Sequence, residues 1–467
     1  MTRATRQPWL WTNFLNIGLG IWLITAPFTF GYLDPASVGD GVLRITAERE
    51  LPSVAVRGAA MARSDLVSGV LIVLLSAIAV IPRARLDFVG RWGTCFVGIW
   101  LGFAPLLFWS PSPAAFVSDT LIGVLVITFS ILVPMMPGMA HHTIMQTPGP
   151  VVPSGWTYNP SSWLQRAPII TLGLVGWFIS RYLAAYQLGY IDNVWDPLFG
   201  DSTMRILDSE VSRAWPVSDA GFGAFAYTFE VLMGFMGGTS RWRTMPWMVT
   251  FFGILVIPLG IVSIGLVILQ PVAVGTWCTL CLVTALAMLV MIPLAVDEVV
   301  AMIQFLERMR RRGKSLWHTF WVGDTLEHAA NEDRRTPPYG SGLAQLVPAM
   351  LWGVNVPRSL LASATVGAWL MAAPAVAGSG GAAANSDHLT GALVVTFAVI
   401  AMAEATRAVR YVNVPAGAWI VAAPWLLGGS TMGASINGLL VGVAVILLSL
   451  PKGAVRDRYA GWQRYIV

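Results

Sequence analysis

Long apolar runs recur along most of the chain, and their length constrains the fold more than any other feature. A bilayer core of roughly 30 Å takes about 20 apolar residues of helix. Twelve segments meet or approach that length, near 9–32, 64–82, 89–109, 116–137, 167–190, 218–237, 247–270, 272–296, 358–377, 389–410, 413–428 and 437–451. Only 11% of the 467 residues are charged, against 56% hydrophobic, too few charges to cover a water-facing surface. The expectation is an all-α, polytopic protein of about twelve transmembrane helices in a lipid bilayer. The first run is too long, and too poor in small residues at a cleavage point, for a removed signal peptide, so it reads as an uncleaved first helix.

The charges that remain are unevenly placed. With twelve spans and the N-terminus inside, Arg3 and Arg6, Arg83 and Arg85, Arg241 and Arg243, the stretch from Arg308 to Lys314, Arg407 and Arg410, and the tail from Lys452 to Arg464 all fall on one side. The positive-inside rule then puts both termini in the cytoplasm. It also accounts for the net charge of +5 without a nucleic-acid partner. Three cysteines exclude a disulfide framework and a four-cysteine zinc site. His141, His142, His318 and His328 fall on the inner side and only His388 on the outer, so a metal site is not expected.

Internal repeats organise the two ends of the chain. The pattern Gly-[Ile/Ala]-Trp-[Leu/Ile]-x-x-Ala-Pro starts at Gly20, Gly98, Gly367 and Gly417 and ends at Pro27, Pro105, Pro374 and Pro424. Each copy precedes a second helix opening with Ser64-Asp65, Ser118-Asp119, Ser386-Asp387 or Asn437-Gly438, with a further glycine at Gly69, Gly123, Gly391 or Gly442. Each unit reads as a helical hairpin, because small residues let helices approach closely in lipid and proline ends or kinks a helix. These hairpins resemble the SPW-repeat family of bacterial membrane proteins, whose tripeptide stands here as Gln7-Pro8-Trp9. The resulting layout is a two-hairpin region at 1–140, a Pro-rich linker at 141–166, a four-helix bundle at 167–297, a charged segment at 298–357 and a second two-hairpin region at 358–467. Within the charged segment, Glu298 to Trp321 reads as a helix leaving the membrane, lying along its inner surface or solvated in the cytoplasm.

Chemistry is concentrated at Trp277-Cys278-Thr279-Leu280-Cys281, placed a few residues into the eighth helix. Residues at i and i+3 share a helix face, and a helix N-terminus stabilises a thiolate, the nucleophile of disulfide exchange. The other reading is two thiols packed in an apolar helix. Asp219 stands at the outer mouth of the sixth helix, as a carbonyl partner or an N-cap. Arg181 and Glu230 lie roughly 13 and 18 Å from the outer ends of their helices, close enough in depth to pair. Cys95 reads as core.

Around that motif, Asp196-Pro197-Leu198-Phe199-Gly200, Arg205-Ile206-Leu207-Asp208-Ser209 and Gly223-Ala224-Phe225-Ala226-Tyr227 precede Gly275-Thr276-Trp277-Cys278 in an order and spacing that resembles the vitamin K epoxide reductase family over roughly 167–296. The resemblance implies a four-helix bundle with a lipid quinone, ubiquinone or menaquinone, held against the Cys-x-x-Cys. It implies that Cys281 faces the quinone, that Cys278 exchanges with another thiol, and that Asp219, Trp277 and Tyr227 line the quinone site. Three departures stand out. The family's paired loop cysteines correspond to Trp195 and Thr203, its tyrosine four residues after the second cysteine is Ala285, and its polar amide four residues before Gly223 is Asp219. An external thiol or an extracytoplasmic thioredoxin-fold carrier would therefore attack Cys278 directly, beneath an opening in the loop 189–217, with the first cysteine the more exposed of the pair. The expected function is a membrane thiol oxidoreductase coupled to a lipid quinone. The alternatives are a catalytically decayed bundle serving as a scaffold or quinone-binding interaction protein, and, third, a transporter.

Overall fold

The computed structural model describes residues 9–31, 38–134, 149–325 and 332–466. Arg3, Arg6, Gln7, Pro8, His141, His142 and His328 lie outside the described residues. The twelve apolar segments are all helical: α1 (Leu10–Thr29), α2 (Val54–Val80), α3 (Ala84–Leu107), α4 (Pro113–Leu132), α5 (Trp163–Gln187), α6 (Asp219–Phe235), α7 (Pro246–Ala273), α8 (Thr279–Arg311), α9 (Arg358–Ala377), α10 (Gly381–Ile400), α11 (Asn413–Leu426) and α12 (Met432–Ser449).

Eight of these helices, α2, α4, α5, α7, α8, α9, α10 and α12, are long and apolar enough to cross a membrane. The protein is therefore a multi-pass membrane protein, although four helices fall short of the expected twelve. α6 has 17 residues and α11 has 14, α1 is interrupted by Asn13 and Asn16, and α3 carries Arg91 within its apolar stretch. Boundaries also move where polar residues are buried. α10 spans 381–400 rather than 389–410, because Asp387 and His388 are buried inside the helix. α8 begins at Thr279 and continues to Arg311, so the cysteine motif sits at the helix start, while Pro271 belongs to the preceding helix.

By internal contacts the chain divides into two compact units, one comprising residues 1–147, 173–237 and 278–280 and the other 148–172, 238–277 and 281–467. The first holds the N-terminal hairpins together with α6 and most of α5; the second holds α7, nearly all of α8 and the C-terminal hairpins.

Glycine explains how each hairpin closes. A Cβ on Gly20 would stand 2.8 Å from the Gly69 carbonyl oxygen, on Gly98 2.9 Å from that of Gly123, on Gly367 2.8 Å from that of Gly391, and on Gly417 2.7 Å from that of Gly442. The helices touch backbone to backbone at the positions the repeat marks. Three residues further along each helix sits a buried aliphatic side chain. In the first unit these are Leu23, Ile72, Leu101 and Val126, joined by Ile122 in one cluster. In the second they are Leu370, Val394, Ile420 and Val445, joined by Val441. The motif prolines Pro27, Pro105, Pro374 and Pro424 each lie in the last turn of their helix, where a missing N–H and a clash with the preceding turn oppose further helix.

Hairpins are also tied across to one another. The Trp100 indole donates to Ser64 Oγ at 2.9 Å, Trp369 to Asn437 Oδ1 at 3.0 Å and Trp419 to Ser386 Oγ at 2.9 Å. In each case the tryptophan of one hairpin reaches the opening residue of its neighbour. In the first unit the second residues of two such openings, Asp65 and Asp119, are both buried.

Candidate redox site

Both cysteines of the motif are disulfide-bonded, and since Cys95 is a free buried thiol, the three-cysteine sequence leaves them only each other. Cys278 is fully buried, whereas Cys281 in the first turn of α8 is half-buried. This reverses the expectation that the first cysteine is the more exposed.

The loop that was expected to leave an opening is instead bonded to the residue that follows Cys278. Asp196 accepts hydrogen bonds from Leu198 N at 3.0 Å and Phe199 N at 2.9 Å, which fold the loop into a tight turn. Its carboxylate also accepts from the Thr279 backbone N–H at 3.2 Å and from the Thr279 hydroxyl, and from Thr203 Oγ1 at 2.6 Å. Asp196 thus supplies, from a distant point in sequence, the capping oxygen and negative charge that the start of α8 needs. Burial pushes its pKa upward, but the hydrogen bonds from Thr203, Thr279, Phe199 and Leu198 outweigh that and hold it below the usual carboxylate range. Thr203, which stands where the family's loop has a cysteine, is therefore one shared carboxylate away from the residue next to Cys278. Trp195, the other substituted position, is exposed, and its backbone N–H donates to the Tyr182 hydroxyl at 3.0 Å.

The remaining site residues have their own surroundings. The Trp277 ring meets the His388 ring edge-on at 5.0 Å, and His388 Nε2 bonds the Ile268 carbonyl at 2.9 Å. Trp277 and His388 both belong to the second unit. Asp219 is the first residue of α6, but the N-cap is Ser218, whose hydroxyl accepts from Gly221 N at 2.9 Å. Asp219 instead takes bonds from the Gln187 amide, from Ser212 Oγ at 3.2 Å and from its neighbour's N–H at 2.9 Å. Tyr227 is buried over Gly176, where a Cβ would come within 2.3 Å of its ring.

Arg181 and Glu230 do not pair. Arg181 donates to Thr120 Oγ1 at 3.0 Å and lies over the rings of Trp177 and Phe116, while the buried Glu230 carboxyl oxygens meet no donor among the described residues. Depth alone, from which the pairing was inferred, does not fix the direction a side chain takes around its helix. Sequence reading also gave no role to Asp196, Thr279, Gln187 or His388. Of these, Asp196 carried a signal as part of the Asp-Pro-Leu-Phe-Gly string and Thr279 as part of the cysteine motif.

Glu298, read as the start of a surface helix, is buried and paired with Arg241 at 2.6 Å, with Ser161 donating to the same carboxylate.

No curated protein and no solved structure matches the chain. Residues 359–452 match the SPW repeat domain, which covers the C-terminal hairpins whose packing the N-terminal hairpins reproduce. Residues 167–296, the stretch that contains the Cys-x-x-Cys disulfide and the Asp196 loop bonded to Thr279, match the Vitamin K epoxide reductase family.

Proposed function

We propose that the protein is a membrane thiol oxidoreductase that couples dithiol oxidation to reduction of a lipid quinone, either ubiquinone or menaquinone, in a bacterial inner membrane with both termini in the cytoplasm. The observation that carries this reading is a disulfide at a capped helix start within a stretch that matches the Vitamin K epoxide reductase family. In the reduced state Cys278 and Cys281 hold two electrons and two protons as thiols. Closing the S–S bond releases both, and the quinone accepts them to become the quinol. An external dithiol, small or carried on an extracytoplasmic thioredoxin-fold protein, then reopens the bond through a mixed disulfide and is itself oxidised.

In this scheme Cys281, the less buried sulfur, faces the quinone, and Trp277, backed by His388, is a flat apolar neighbour for it. Cys278 is the exchange partner and becomes attackable when the loop around Asp196 lifts from Thr279. Asp219 and Tyr227 complete the proposed quinone set.

The test supplies purified protein with a reduced dithiol and a short-chain quinone and follows quinone absorbance. Turnover in the wild type, lost in both Cys278→Ser and Cys281→Ser, supports the enzyme. Extraction of a bound quinone that Asp219→Ala weakens, without an equal fall in melting temperature, supports the quinone set. Absence of turnover with any dithiol favours the second reading, a decayed bundle acting as scaffold, which the cysteine-free positions Trp195 and Thr203 already support.

A further inference from the structure

At the far end of α8 from the disulfide, the second unit contains a cleft that the redox reading does not use. α8 has 33 residues, about 50 Å at 1.5 Å per residue, and a bilayer core of roughly 30 Å ends after about 20 of them. The last two turns, from Gln304 to Arg311, therefore stand at the level of the lipid headgroups or beyond. Against them lies the C-terminal turn Ala460–Tyr465, fixed by the Gln304 amide, which donates to the Tyr459 carbonyl at 2.8 Å and accepts from the Trp156 indole at 3.0 Å. The Trp462 indole, bonded to the Ala405 carbonyl at 3.0 Å, fixes it further. Between the two elements is a cavity of about 470 Å³.

Its walls carry three guanidinium groups, Arg308, Arg311 and Arg464, and one carboxylate, Glu307. Glu307 is taken by Arg311 at 2.5 Å. Arg464 has the hydroxyl of Tyr465 at 2.7 Å and its ring at 4.6 Å, and Arg308 has the Gln304 amide oxygen at 3.5 Å. Among the described residues neither has a carboxylate within ion-pair distance. These two guanidinium groups feel the Glu307 carboxylate only at longer range, and they line a space walled on one side by Trp462 and Tyr465, whose rings lie 5.0 Å apart. Guanidinium forks match the oxygens of a phosphate, and amphipathic rings settle at headgroup depth.

We propose that this cleft binds a phosphate ester, with the phosphate between Arg308 and Arg464 and its organic part against Trp462 and Tyr465. The source is either the headgroup of an anionic phospholipid or a soluble organic phosphate. Native mass spectrometry of the full-length protein in detergent, titrated separately with dioleoyl phosphatidylglycerol and with glycerol 3-phosphate, distinguishes them. Arg464→Gln changes an exposed side chain outside the core and Arg308→Gln a half-buried one, and melting temperatures establish that both variants are folded. A single tight phosphatidylglycerol adduct, weakened at least about tenfold in either variant, assigns the site to lipid, since each variant removes a charge-assisted bond to the phosphate. The same loss for glycerol 3-phosphate assigns it to a soluble ester. Equal binding of both probes by wild type and variants overturns the proposal, as does binding of neither probe by the wild type.

Discussion

The repeat hairpins and the cysteine turn solve their structural problems in opposite ways. In the hairpins each contact is made four times, glycine against glycine with an aliphatic residue three positions on, and all partners lie within one hairpin or its neighbour. At the cysteine turn each contact is made once, and the carboxylate that holds it comes from 83 residues away. Redundant local packing gives a rigid support; a single long-range clamp gives an element that can open. The difference assigns stability to the one region and access to the other.

The largest effect expected is on the hairpins. Gly98→Leu and Gly417→Leu each drive a side chain into an opposing backbone carbonyl, where the neighbour cannot yield as a flexible side chain would. Overpacking of this kind costs about 1–3 kcal/mol or more. Both should lower the melting temperature by several degrees and to a similar extent. A large loss in one and none in the other would break the equivalence of the two repeat pairs.

Next in size is the clamp. Asp196→Ala removes the carboxylate shared by Thr203 and Thr279, and hydrogen bonds to a charged group are worth about 1.5–3 kcal/mol. Reduction of the Cys278–Cys281 bond by an external thiol should accelerate on the order of 10-fold, because each 1.36 kcal/mol is tenfold in rate. In a Cys281→Ser background the lone Cys278 should label slowly with a maleimide, and quickly once Asp196→Ala is added. If labelling is equally fast with Asp196 intact, the loop is not the barrier. Because the Asp196 pKa is depressed in the folded protein, the clamp's contribution is fully present above the ordinary aspartate range. It fades only as pH falls through the lower folded value, so the reduction rate should show no step from this group between pH 5 and 8.

The smallest effect sharpens the comparison within the hairpins. Trp100→Phe, Trp369→Phe and Trp419→Phe each delete one cross-hairpin hydrogen bond, worth about 1 kcal/mol. Three similar small losses of melting temperature would support equivalent ties; no loss in any would reduce the tryptophans to lipid-facing packing.

What was legible in the sequence follows the same division. The hairpins could be read because Gly20, Gly98, Gly367 and Gly417 recur with their partner glycines at fixed offsets, and the packing uses those residues. All twelve helices were visible as apolar runs, but their ends were not, since Asp387, His388 and the stretch from Val54 to Arg63 are helical despite polar residues. The Cys-x-x-Cys was visible by type. Its burial was not, because a loop aspartate capping a helix from a distance leaves no periodic mark. At Asp219 two adjacent residues could each serve as the cap, and Ser218 took that role.

The indole bonds between hairpins bear on how the protein is made. A hairpin entering the bilayer alone leaves a tryptophan N–H without its acceptor, which lies on a helix of the other hairpin. In the first unit that acceptor, Ser64, is already in place when Trp100 is synthesised, so the bond can close as soon as α3 inserts. In the second, Asn437 follows Trp369 by 68 residues, and α9 must wait for α12. Biogenesis of the C-terminal half should therefore be the slower step, with α9 held at the insertion machinery until the last helix arrives.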